Sequence, residues 1–217
     1  EIKLGIFSIP VTIFCVVGIM NAFNMMDGIN GLCAGCAMLA LLLIGFYSGL
    51  IYDSMLVLAI GSMIGFLIFN LGFFGKKRGV FLGDSGSNLV GFWVAWSAIY
   101  ASQSEIYSIQ PITMLWFVAI PFLDCIGLIF SRIKKGKSWT AAGRDHIHHK
   151  LMLKFSPEGT LFIILIVSFI TGIFGIYIEN NFSSSISFLF FVSYGAMYYV
   201  IANNYESSTK DKLNKNV

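Results

Sequence analysis

The chain has 217 residues, 57% of them hydrophobic and 12% charged, with a formal net charge of +3 and a mean hydropathy of +0.79. Soluble domains carry about 25% charged residues and at most about 50% apolar ones, so an ordinary soluble domain is excluded. Nucleic acid is excluded as a partner by position, because the basic residues sit in loops between apolar blocks.

Those blocks come close to the ~20 apolar residues that cross a bilayer. Seven spans are expected, at roughly 4–23, 32–50, 55–74, 87–102, 112–131, 159–178 and 186–203. The fold class is therefore all-α: a polytopic membrane helix bundle over 1–203 with a polar tail, 204–217, expected to be disordered. The chain opens on Glu1 with no basic stretch ahead of its first apolar segment, so no signal peptide is visible and a segment is expected to precede it.

The first span ends in Asn21-Ala-Phe-Asn24-Met-Met-Asp27-Gly28-Ile-Asn30-Gly31. Asn21, Asn24 and Asp27 recur every three residues and share one face if helical. A polar stripe at the end of a membrane helix has to face protein or a water-filled cavity, and Gly28 and Gly31 let the backbone turn or approach a ligand. Cys33-Ala-Gly-Cys36 has the spacing of a redox pair, but it opens a membrane helix and reads as packing. In the third span Gly61 and Gly65 have the GxxxG spacing that permits close helix contact.

Asn70 stands near the inner end of that span, and Lys76-Lys77-Arg78 and Gly83-Asp84-Ser85-Gly86-Ser87 follow. The basic triplet reads as a topology signal. Gly86–Ser87–Asn88 are expected to cap the fourth span. Small residues before a helix offer free N–H groups and a positive dipole end to an anion. A carboxylate there suits bound phosphates only with a cation between them, so Asp84 reads as a Mg²⁺ ligand, or equally as part of a flexible turn.

The fifth span carries Asp124, an acid costly in such a segment, which reads as a structural pin more than as a catalyst. Between Arg132 and Lys150 lie six of the fourteen Lys/Arg residues and all three histidines, His146, His148 and His149. The spacing lacks the HExxH zinc arrangement and no cysteine is near. With Arg144 and Lys150 beside it, the cluster suits a diphosphate.

Positive charge fixes orientation. With loop 75–86 on the cytoplasmic side, thirteen of the fourteen Lys/Arg residues fall inside and only Lys3 outside. Loops 21–32, 75–88 and 132–150 then share the cytoplasmic face, and that convergence suggests an active site.

Together, NAFNMMDGINGL, FLGDSGS, and PFLD followed by R…GKS…R-x-HIHH resemble the polyprenyl-phosphate N-acetylhexosamine-1-phosphate transferases, integral membrane enzymes of glycosyltransferase family 4. The resemblance covers positions 21–150 in family order. It implies transfer of a sugar-1-phosphate from a UDP-sugar to undecaprenyl phosphate, with release of UMP, in the bacterial plasma membrane. It implies Mg²⁺ (or Mn²⁺) at Asn24 and Asp84, and Asp27 with Asp84 in the catalytic centre. Asn21, Asn70, Arg144, His146, His148 and His149 would hold the nucleotide sugar, while Asp124 and Asp145 stay structural or unassigned. The HxHH form is more similar to the branch using UDP-N-acetylglucosamine than to phospho-N-acetylmuramoyl-pentapeptide transferase.

Three departures stand out. The family's paired aspartates are expected upstream of the first span. Seven spans stand against the family's usual ten or eleven. Asn30 and Gly143 occupy positions where many members carry Asp. The sugar, the glycan pathway (O-antigen of lipopolysaccharide, capsule or teichoic acid) and a homodimer stay open. The other readings are a transporter, which would predict an inverted repeat and midplane polar groups, and an inactive transferase-like scaffold.

Overall fold

The computed structural model describes residues 5–75, 79–104, 106, 109–136, 138 and 145–214, the last ten of these by backbone alone. Among them there are helices and no strands. In chain order they are α1 (Ser8–Met25), α2 (Leu32–Ser48), α3 (Ser54–Asn70), α4 (Gly83–Gln103), α5 (Pro111–Phe117), α6 (Ala119–Lys134), α7 (Ile147–Leu151), α8 (Pro157–Asn181) and α9 (Ser184–Asn214). Short 3₁₀ turns, Gly5–Phe7 and Leu50–Tyr52, precede α1 and α3.

α2 is the centre of the bundle. It packs against α4, α8, α3 and α5, and most of its residues are buried. Its alanines, glycines and cysteines allow this, because small side chains let several helices approach one another. Cys33 and Cys36 are buried free thiols in that packing. α1 instead leaves nearly all its length outward, with Ile9, Phe14 and Val17 exposed. Large apolar side chains are likewise exposed on α3, α8 and α9. So much outward apolar surface belongs in lipid, and the protein is a multi-pass membrane protein.

Among the described residues, three helices are long and apolar enough to cross a bilayer: Gly5–Met25, Pro157–Asn181 and Ser184–Asn204. A bent pair brings the number to four. The expected seven spans are thus matched by the position of apolar helices and not all by length. α2 and α3 have 17 residues each, about 26 Å at 1.5 Å per residue, against a hydrocarbon core of ~30 Å. The fifth expected span is two helices, α5 and α6, bent by 85° at Val118. Proline explains the break: Pro121 has no N–H to offer the carbonyl four residues back, on Phe117, where α5 ends. In α6 the same residue falls in the first turn, where a missing N–H costs nothing.

Other expectations shift in the same way. α4 begins at Gly83, so Gly86–Ser87–Asn88 lie inside its first turns and do not cap it. α9 stays helical through 203 to Asn214, where a disordered tail was expected. Gly61 and Gly65 have nothing within 4 Å of where a Cβ would stand, so they mediate no close helix contact among the described residues. The tight approach occurs at Gly91 of α4, whose Cβ would lie 2.8 Å from the Met20 Cα of α1. That contact brings the end of α1 to the start of α4.

Candidate functional site

The ends of α1 and α3 and the starts of α2, α4 and α7 gather at one end of the bundle. Where α1 meets α4, the Asn24 side-chain amide donates to Asp84 Oδ1 at 3.2 Å and to Ser87 Oγ at 2.8 Å. Ser87 in turn donates to the Asp84 carbonyl at 3.1 Å. Asp84 stands in the first turn of α4, where the helix dipole favours negative charge. Asp27 lies just past the end of α1. Partial burial pushes its carboxyl up from the ordinary range, the Gly83 backbone amide draws it down, and neighbouring Asp84 adds a further upward push. Two carboxylates and an amide therefore share one small region with the N-terminus of α4.

These groups fit a hard divalent cation. Magnesium takes one or two carboxylates and completes its shell with water and phosphate oxygens. A half-turn of the Asn24 amide exchanges its NH₂ for its oxygen, and would present an oxygen donor beside Asp84. Among the described residues no three of His, Cys, Asp or Glu gather into a group that could hold a metal.

Asn70, which the resemblance puts near the nucleotide, has two backbone partners. It is buried, with its oxygen accepting from the Gly31 N–H at 2.6 Å and its nitrogen donating to the Val80 carbonyl at 2.8 Å. One side chain thus fastens the loop after α1 to the loop before α4. Gly31 has φ +81°, a left-handed conformation that glycine adopts without strain. Asn21 lies exposed on α1, one turn before Asn24.

The histidines are not an open trio. His146 is buried, and its Nδ1 stands 2.8 Å from Asp124 Oδ2. Asp124 is 4% exposed, and its other oxygen accepts from the Ile147 N–H at 3.0 Å and the Tyr198 hydroxyl at 3.1 Å. His148 is 1% exposed, with neither ring nitrogen hydrogen-bonded. Burial, reinforced by the rings of His149 and His146 and opposed by Asp124, lowers its pKa to about 4, so it is neutral near pH 7. Its ring centroid lies 5.5 Å from that of His146 and 4.2 Å from that of His149. It also abuts Gly28, where a Cβ would collide with Nε2. Through that contact the histidine segment meets the loop carrying Asp27. His149 is partly buried, and Asp145 lines a narrow cleft with Asp124, Lys150 and Tyr198. Arg144 and the triplet Lys76-Lys77-Arg78 lie outside the described residues.

The sequence did not point to Tyr198, an aromatic in an apolar span with no polar neighbour to mark it. Nor did it point to Ser87 as Asn24's partner, having cast it as a helix cap. The pairing of Asp124 with His146, 22 residues apart, had no local signal either.

Residues 1–102 match glycosyl transferase family 4. Similar curated proteins include the undecaprenyl-phosphate alpha-N-acetylglucosaminyl 1-phosphate transferase of Yersinia pestis, 39% identical over 156 residues, which are 70% of this chain and 43% of that protein. The proteins of the same name from Escherichia coli K12 and Haemophilus influenzae are 38% and 36% identical, over 70% and 60% of this chain and 42% and 39% of theirs. The chain thus spans about two-fifths of the length of these relatives, and its likeness to glycosyl transferase family 4 runs over residues 1–102.

Proposed function

We propose that the chain takes part in transferring N-acetylhexosamine-1-phosphate, with N-acetylglucosamine as the sugar, from a UDP-sugar to undecaprenyl phosphate. The observation that carries this reading is the meeting of Asn24, Asp27 and Asp84 at the start of α4, with the histidine segment packed against the same loop. The names of the relatives supply the lipid and the sugar. The reaction belongs at the cytoplasmic face of a bacterial plasma membrane, where the basic loops lie by the charge rule. It is a first membrane step of envelope glycan synthesis.

In the reaction an oxygen of the lipid phosphate attacks the sugar-linked phosphorus. The bond to the bridging oxygen breaks, and UMP leaves with that oxygen. No net proton transfer is required, so positioning and electrostatics carry most of the catalysis. Asp84, with Asn24, would hold Mg²⁺ (Mn²⁺ serving in its place), which supplies charge neutralisation of the diphosphate. Asp27 shapes the same negative pocket. The histidine segment packs on its loop and offers ring nitrogens to the nucleotide sugar, and Arg144 supplies positive charge from the same stretch.

Membranes carrying the complete gene product, given UDP-N-acetylglucosamine, undecaprenyl phosphate and Mg²⁺, should release UMP. Asp84→Ala should slow release at least ~100-fold, about 2.7 kcal/mol of transition-state stabilisation. An unchanged rate in that variant sinks the assignment of Asp84. Silence of the wild type with every UDP-sugar sinks the transferase reading.

A further inference from the structure

We infer that Tyr198 of α9 is a positioning residue that acts through Asp124 to set His146 for the nucleotide sugar, an inference that rests on the proposed transferase reading. A buried carboxylate is tolerated when donors satisfy its oxygens. Asp124 takes three such contacts, from the Tyr198 hydroxyl, the Ile147 N–H and His146 Nδ1. They come from different parts of the chain, so the carboxylate joins α6, α7 and α9 at one point.

α7 needs that point. His146 precedes it without capping it by its own side chain. The first amide of the helix, Ile147 N–H, would be an orphan, and Asp124 takes it from a neighbouring helix. The far end of α7 is also held by α9, for Lys150 Nζ donates to the Ala202 carbonyl at 3.1 Å. Tyr198 and Ala202 are four residues apart, one above the other on the same face of α9. The last membrane helix thus grips the short histidine helix at both ends.

The grip continues towards the carboxylates. His146 stacks with His148 at 13° between ring planes, and His148 abuts Gly28 next to Asp27. With Nδ1 engaged by Asp124, the ring of His146 cannot turn freely, and Nε2 is the nitrogen that takes no part in the latch. Among the described residues, the hydrogen bond of Tyr198 goes to Asp124 and not to a residue proposed to bind substrate.

The test removes that hydroxyl and keeps the ring. Tyr198→Phe and, as a second variant, Asp124→Asn are compared with wild type in two ways on the complete gene product. The first is backbone amide exchange: Tyr198→Phe should speed exchange over residues 146–151 about tenfold and leave 83–90 unchanged. The second is UMP release at varied UDP-N-acetylglucosamine. KM should rise about tenfold with kcat within about twofold, the sign of lost binding equal in ground and transition states. In a His146→Ala background the same change should cost less than about twofold more, because its effect runs through that ring. Unchanged exchange overturns the latch. Faster exchange with unchanged KM, or full additivity with His146→Ala, overturns the positioning role. A wild type that releases no UMP overturns the transferase reading and the substrate half of this inference, while the exchange arm still decides the latch.

Discussion

Gly28→Ala is the sharpest probe of how the site is assembled. An ideal Cβ on Gly28 would fall on His148 Nε2, and 2.8 and 2.9 Å from Cδ2 and Cε1 of the same ring. An exposed imidazole would swing aside, but His148 is 1% exposed and packed beside His146 and His149. Either the ring or the turn at 26–31 must therefore move by roughly an ångström. Overpacking of this kind costs about 1–3 kcal/mol of stability. If the turn yields, Asp27 moves with it; if the ring yields, the histidine segment moves. Misplacement by ~1 Å costs catalysis about 100-fold. Gly61→Ala, on α3 with nothing near its Cβ, is the control and should be silent. Unfolding in detergent and UMP release would be measured on both, and on Gly28→Ala combined with His148→Ala. The double variant should regain stability, because the obstructing ring is gone, and should not regain activity. Wild-type stability and rate in Gly28→Ala alone would show that the two segments do not touch as described.

Three further outcomes are expected. His148 has a folded pKa of about 4 against 6.5 for the free side chain. Between those values the unfolded chain binds a proton that the folded chain does not, so stability falls as pH drops from 6.5 towards 4 and is level above 6.5. The loss is roughly 3 kcal/mol at completion, and detergent unfolding against pH should show it shrinking in His148→Gln. Asn70→Ala removes the partners of the Gly31 N–H and the Val80 carbonyl together; at about 1–3 kcal/mol for the buried Gly31 N–H left without an acceptor, thermal unfolding should drop below wild type. Gly91→Ala presses a methyl to 2.8 Å from the Met20 Cα. Backbone cannot rotate away as a side chain does, so a cost of about 1–3 kcal/mol is expected, with a loss of UMP release as Asn24 parts from Asp84.

What the sequence disclosed and what it withheld follow physical lines. Apolar blocks announce membrane helices because lipid leaves few alternatives, and Asn24, Asp27 and Asp84 were visible because polar groups at the ends of such blocks are conspicuous. Their meeting was inferred from the parity of spans, and α1 and α4 do bring Asn24 to Asp84. Breaks and long-range partners were harder to see. The 85° bend at Val118 had a signal in Pro121, which composition over a 20-residue window averages away. The GxxxG of α3 was misleading, since small residues permit close packing without requiring it. The two backbone partners of Asn70, Gly31 and Val80, could not be read from the sequence, because a backbone group carries no side-chain signature. Tyr198 was invisible, because one hydroxyl in an aromatic-rich span does not alter its pattern.

The site's dependence on side chains that contact no substrate has a physical cause. Two like charges, Asp27 and Asp84, are held near each other, and their repulsion acts to open the gap between α1 and α4. At the carboxylates themselves the Gly83 amide offsets part of that push on Asp27, and Asn24 donates to Asp84. Further opposing forces lie behind them. The backbone contact at Gly91 sets how closely α1 and α4 approach. Asn70 ties the two loops, and the Gly28–His148 contact leans the histidine segment on the same turn. A cation would relieve the repulsion directly, so divalent metal should stabilise the wild type to unfolding and should stabilise Asp84→Asn less. Because the supports are separate from the charges, weakening one should make the protein's stability more dependent on added Mg²⁺. Asn70→Ala should therefore gain more from Mg²⁺ than wild type does, and an equal gain in both would place the metal elsewhere.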